Sequence, residues 1–220
     1  MDHQIWVYLH IMLFVYWLGA DLGVFLLAKA AKKPDLTFAE RAFALRMAVM
    51  IDLVPRLCFA VMFPVGLHVT ASGGFAPVPG WALALSWAVS AVWIALLAAM
   101  GRREGTPAGA ALARVNLALQ ALLCLLIGAL GVMALAGHGP LPGGWYGAKV
   151  FLFACVFALG IGIDVAFRPV GPAFMRLASE GSSPQIEAEV SRGIDGAVRV
   201  VLALYLLLAL IAFIGVAKPF

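Results

Sequence analysis

The sequence predicts an all-α, polytopic membrane helix bundle with six transmembrane helices, and three observations carry that prediction. Apolar residues make up 64% of the chain and charged residues 12%, with a mean hydropathy of +1.03; that is more apolar surface than one compact core in water can cover. Six apolar stretches, near 5–28, 43–71, 80–101, 112–136, 146–168 and 193–216, each reach the ~20 helical residues needed to cross a ~30 Å hydrocarbon layer. Helix-breaking or charged residues separate them. Nothing reads as an independent soluble domain, so 1–220 is expected to be a single transmembrane domain whose main partner is the lipid bilayer.

The first stretch begins beside Asp2 and is followed by Lys29, Lys32 and Lys33. A signal peptide has the opposite order, basic residues before a shorter apolar run, so this stretch reads as a retained helix ending near Pro34. The second contains Pro55 and Pro64, each of which removes a backbone donor and can bend the helix, and it stops at Ser72-Gly73-Gly74. The third ends at Arg102-Arg103, the fourth follows Pro107, the run from Gly137 to Gly144 precedes the fifth, and a polar connection around 176–192 leads to the sixth. Thirteen of the fifteen lysines and arginines fall on the side of the first, third and fifth connections. The positive-inside rule makes that side cytoplasmic and puts both termini outside, as in a multi-pass protein of a bacterial inner membrane. The net charge of +4 then reflects topology, and no nucleic-acid partner is expected. Cys58, Cys124 and Cys155 lie inside apolar stretches without CxxC spacing and read as small core residues. Nucleotide loops, zinc-spaced ligand sets and nucleophile elbows are absent from the sequence.

Charged side chains cost roughly 2.5–3.5 kcal/mol each at the centre of a membrane helix, so their pattern is informative. Gly19-Ala20-Asp21 with Ile51-Asp52 and Arg56 recurs as Gly162-Ile163-Asp164 with Ile194-Asp195 and Arg199, every position displaced by 143. This predicts an internal duplication: unit A over 5–71, unit B over 146–216, and an intervening helix pair over 80–136. Asp and Arg at i and i+4 share a helix face, so Asp52 is expected to pair with Arg56 and Asp195 with Arg199, with Asp21 and Asp164 completing each pair from the neighbouring helix. Such a network reads as a structural lattice, as a relay for protons or ions, or as groups at the cytoplasmic interface.

All four histidines, His3, His10, His68 and His138, fall at the opposite side. Histidine ligates haem iron and copper, so a haem or metal site there is a candidate beside ordinary interfacial roles. His10 shares its helix face with Phe14, Trp17 and Asp21, a face suited to a partner helix or a cofactor. His68 is a candidate second ligand because the antiparallel second helix returns it to that end. Met1-Asp2-His3 also has the order that forms a square-planar nitrogen site for Cu(II). Lys149, at the start of the fifth helix, either snorkels to the interface or pairs with an anion such as a haem propionate.

The segment Trp6-Val7-Tyr8-Leu9-His10-Ile11, followed by Trp17-Leu18-Gly19, resembles the first helix of the CopD/HemJ-like membrane families, which include copper-resistance D proteins and bacterial protoporphyrinogen oxidases. Trp145-Tyr146-Gly147-Ala148-Lys149-Val150 is similar to their tryptophan-x-x-x-lysine motif. The resemblance implies a helical inner-membrane protein with His10 as a haem b ligand and Lys149 as a cofactor- or substrate-pairing residue. HemJ-like proteins carry a histidine where this chain has Ala148, so porphyrinogen oxidation is not carried over. The expected function is haem b binding on the extracytoplasmic side, through His10, His68, Trp17 and Lys149, in a redox or electron-transfer role with a membrane or periplasmic redox partner. Copper handling or uptake by His3, His10, His68 and His138 is the alternative, and a metal-free carrier or structural subunit a third. Glycine faces, Gly19 with Gly23 and Gly128 with Gly131, suit close helix contact or a homo-oligomer. At the 143-residue offset His10 becomes Phe153 and His68 becomes Ile211, which places any cofactor site in unit A.

Overall fold

The structure, a computed structural model, describes residues 2–219 and consists of helices α1 (Asp2–Ala31), α2 (Phe38–Ser72), α3 (Gly80–Arg102), α4 (Pro107–Leu135), α5 (Gly144–Phe167), α6 (Val170–Glu180) and α7 (Pro184–Ala217). Six helices are long and apolar enough to cross a membrane. Local chemistry sets several starts. Thr37 caps α2 in a capping box with Glu40, while Thr106 and Ser183 cap α4 and α7, each with proline in the first turn. Apolar side chains point outward, among them Leu206 at 76%, Leu125 at 71% and Trp81 at 70% exposure; a belt of this kind is what a bilayer covers.

The helices pack as neighbours in sequence, α1 on α2, α2 on α3, α3 on α4 and α4 on α5, and α7 closes the bundle against α5. The α4–α5 contact rests on small residues. A Cβ at Gly131 would sit 2.5 Å from the Phe151 backbone nitrogen, and one at Gly147 would meet Ala134 at 3.1 Å. Gly19, by contrast, faces nothing within 4 Å and Gly23 only Ile51 at 3.9 Å, so that glycine face makes no close contact within the chain. Helix α2 continues through both prolines. Pro64 lacks the N–H that would bond the Ala60 carbonyl, and the Ser90 hydroxyl of α3 donates to that carbonyl at 2.7 Å instead.

The centre of the bundle is an aromatic knot in which Phe59 touches Trp17, Trp93, Phe153 and Phe157, with ring centroids 4.5 to 5.8 Å apart. It ties α1, α2, α3 and α5 together, and Trp93 is further fixed by donating from Nε1 to Asn116 Oδ1 on α4 at 2.9 Å. A second apolar cluster lies at the basic end, where Val170, Ala173 and Phe174 of α6 pack on Ala28, Ala31, Ala44, Val190 and Ile194.

That second cluster corrects the reading of 176–192 as a polar connection. The segment holds the end of α6 and the opening turns of α7. Arg41, 2% exposed, donates from both terminal nitrogens to the Glu187 carboxylate at 2.8 Å and from Nε to the Ala31 carbonyl at 2.8 Å. It joins the overhanging ends of α2 and α7 to the last residue of α1. The predicted pairing of the repeated charges is also corrected in part. Asp52 pairs with Arg56 as expected, at 2.5 Å. Arg199 is exposed and donates only to the Asp195 backbone carbonyl, at 3.2 Å, because the Asp195 carboxylate is taken by Lys32 from the end of α1. Asp164 crosses to Arg56 at 2.9 Å, and Asp21 joins no ion pair. The two repeat units therefore carry unequal networks.

Candidate functional site

Two cavities of the bundle hold its buried polar groups of interest. The larger, about 450 Å³, opens at the end where α1 begins and α7 finishes, and we call it the terminal cavity. Its volume falls in the range of small-molecule sites, roughly 300–1,000 Å³. Its wall is mostly apolar, with Phe14, Trp17, Met62, Phe63, Phe153 and Ile211 among its lining, and the charged side chains that line it are Lys149 and Lys218.

Each polar group in this cavity is admitted by a local feature of the backbone. The His10 ring packs over Gly66 of α2, where a Cβ would stand 3.5 Å from the imidazole Cε1. Its Nδ1 is buried and makes no hydrogen bond. The Lys149 chain runs across Gly215 of α7, where a Cβ would lie 2.4 Å from Nζ. Lys218 caps α7 in the left-handed conformation, φ 45°, and its ammonium stands 4.3 Å from the Phe75 ring centre and 5.4 Å from that of Trp145, within cation–π range. Tyr146 and Thr70, hydroxyls 3.2 Å apart, join α5 to α2 at the wall.

The other histidines do not converge on His10. His68 lies outside the cavity lining, stacked on Trp6 at 3.8 Å, and its Nε2 accepts from Trp87 Nε1 at 3.0 Å. One face of the expected second ligand is thus covered by Trp6 and its Nε2 is taken by Trp87, and helical phase explains it, since His68 projects toward α1 and α3. His3 reaches the cavity mouth, where its Nδ1 lies 3.0 Å from the Ser72 hydroxyl. Met1, the first residue of the proposed Cu(II) site, lies outside the described residues. His138 sits in the α4–α5 loop with Nδ1 2.6 Å from the Ala136 carbonyl oxygen. Among the described residues no group of three His, Cys, Asp or Glu side chains is arranged to hold a metal ion.

The smaller cavity, about 100 Å³, lies deeper along the bundle and is lined by Asp21, Asp52, Arg56, Asn116, Gln120 and Asp164 among others. We call it the charged cavity. Trp17, 4% exposed, is the one described side chain lining both spaces. Lys218, Gly66, Gly215, Asn116 and Gln120 were not singled out by sequence reasoning. Asn116 and Gln120, one turn apart in an apolar run, were the visible signal; the glycines and Lys218 gave none, because their role depends on contacts distant in sequence. Comparison with protein-family models gives no match for this chain, and the searches of curated proteins and of solved structures also find nothing similar.

Proposed function

We propose that this chain is a multi-pass protein of the bacterial inner membrane that binds haem b in the terminal cavity, with the termini extracytoplasmic, and serves electron transfer. The observation that carries the reading is the buried, unpaired Nδ1 of His10 in the cavity that also holds Lys149 and Lys218. Buried polar atoms are rarely left unpaired, and a ring held this way is available to a ligand. The residues fit the group: an imidazole for the iron, two ammonium groups for carboxylates, aromatic walls for a flat ring, and glycines at Gly66 and Gly215 that leave both polar side chains room. Haem would supply one-electron redox chemistry, its potential set by the axial ligand and by burial. His10 would hold the iron as its single protein ligand from this cavity, Lys149 would pair a propionate, and Trp17 with Phe153 would keep water from the ring.

The two sequence segments similar to the CopD/HemJ-like families support this reading, since the residues they would contribute, His10 and Lys149, line one cavity. A second reading, a metal-free carrier of an amphipathic anion, is favoured by the stacking of a cationic cavity and a charged one on the shared Trp17. An absorption spectrum with metal analysis on protein purified from haem-replete cells separates the two. Haem binding gives a Soret band that His10→Ala abolishes and His68→Ala leaves intact. A colourless wild type, or a His10→Ala protein with an unchanged spectrum, overturns it.

A further inference from the structure

The charged cavity is independent of whatever fills the terminal one, and its charges do not balance. Arg56 is the one cation lining it, and it is already shared between Asp52 on α2 and Asp164 on α5, through Nε at 2.5 Å and Nη2 at 2.9 Å. A third carboxylate, Asp21 on α1, lines the same space with 6% exposure, and its Oδ2 is buried without a hydrogen-bond partner. The groups facing it supply no further positive charge. They are Asp52 and Arg56 from α2, Asn116 and Gln120 from α4, Asp164 from α5, and from α7 the buried Tyr205 hydroxyl, a neutral donor beside the Asp21 carboxyl.

A lone carboxylate inside a membrane bundle is tolerated when a positive charge reaches it. Here that charge is not a divalent metal ion held by carboxylates, imidazoles or thiols, because no three of these side chains are arranged for one among the described residues. It is not a second guanidinium either, because Arg199, the counterpart of Arg56, is exposed elsewhere on α7. The cation that needs no ligand set beyond the carboxylate itself is the proton. We propose that Asp21 is a proton-binding and proton-releasing site, and that the charged cavity is a proton-accepting compartment closed toward the terminal cavity by Trp17. The step is a simple equilibrium: the Asp21 carboxylate takes one proton to become the neutral acid, raising the cavity's formal charge from −2 to −1, and returns the same proton on release.

The test is an infrared titration of the full chain in phosphatidylcholine nanodiscs between about pH 5 and pH 9, a window in which exposed carboxyls are ionised throughout. A carbonyl-stretch band from a protonated, buried carboxyl is expected, fading as pH rises, present in wild type and in Asp195→Asn but absent in Asp21→Asn. Asp21→Glu is the safeguard if the amide variant does not fold: it keeps the carboxyl and should move the band. Parallel back-titration should find about one proton fewer released per chain in Asp21→Asn than in wild type over that window. No titrating band in wild type, a band unaltered in Asp21→Asn or Asp21→Glu, or a band that sodium removes at fixed pH would each overturn the proposal. None of these readings depends on haem, so failure here and failure of the haem assignment are separate results.

Discussion

Replacing Arg41 by methionine removes the clamp at the basic end, and its size can be worked from the contacts. The side chain is 3% exposed and its partner Glu187 16%. Three hydrogen bonds of 2.8 Å disappear together, two to the Glu187 carboxylate and one to the Ala31 carbonyl. Removing one partner of a buried ion pair costs about 3–5 kcal/mol, because the other charge stays behind uncompensated. Glu187 keeps the Ser182 hydroxyl at 2.8 Å, which puts the expected loss near the lower limit, about 3 kcal/mol, or roughly a hundredfold in the folding equilibrium. The double variant Arg41→Met with Glu187→Leu should recover most of the loss, since a packed apolar pair is often neutral against a buried ionic one. Reversible unfolding in mixed micelles titrated with a denaturing detergent, run as a double-mutant cycle, measures both quantities. A single-variant loss below about 1 kcal/mol, the scale of a surface ion pair, or a double variant equal to the sum of the singles, would refute the reasoning.

Ser90→Ala leaves the Ala60 carbonyl, already deprived of a partner by Pro64, with none; the same unfolding assay should show a loss of about 1–3 kcal/mol, and none in a Ser90→Ala, Pro64→Ala double variant relative to Pro64→Ala alone. Gly131→Ala inserts a methyl group 2.5 Å from the Phe151 backbone, so α4 and α5 must separate, at about 1–3 kcal/mol, whereas Gly19→Ala, with nothing within 4 Å, should fall within about 0.5 kcal/mol of wild type. On the haem reading proposed above, Lys149→Ala removes the charge-assisted bond to a propionate, worth roughly 1.5–3 kcal/mol, which a haem titration should read as about a ten- to hundredfold rise in Kd.

The six spans were legible because hydropathy reports burial in lipid directly, whatever the tertiary contacts. The parts missed are those where contacts between distant segments decide. Val170–Glu180 is a helix of 11 residues, too short to cross a membrane, and it is held by its seat on Ala28, Ala31 and Ile194. The 143-residue repeat fixed which side chains sit at equivalent depth but not how the helices turn toward one another. Asp195 therefore met Lys32, and Asp164 met Arg56, where symmetry predicted otherwise. The face His10, Phe14, Trp17, Asp21 was readable from helical spacing, and its residues line the two cavities. That Lys149 and Lys218 share a cavity with His10 was not readable, because it requires α1, α5 and α7 at once. The terminal cavity thus draws on more than unit A, for both lysines come from the later part of the chain.

The repeat explains how one bundle carries two unlike polar spaces. The α1 face formed by His10, Trp17 and Asp21 has as its 143-offset counterpart the α5 face formed by Phe153, Gly160 and Asp164. The counterparts line the same cavities: Phe153 the terminal one, Gly160 and Asp164 the charged one. Where unit A has the bulky Trp17 the second unit has Gly160, whose open side faces the Gln120 side chain, so the indole between the two spaces comes from unit A alone. Where unit A has an imidazole the second unit has a phenyl ring, so one polar group projects into an apolar wall. Phe14 and the carboxylate are retained in both copies, as Phe157 and Asp164, and the equivalence of the carboxylates is broken by Arg56, which binds Asp164 and makes no ion pair with Asp21. Divergence between the copies at His10, Trp17 and the partners of Arg56 is what leaves one unpaired imidazole at one end of α1's inner face and one unpaired carboxylate at the other, about 16 Å apart along the helix axis.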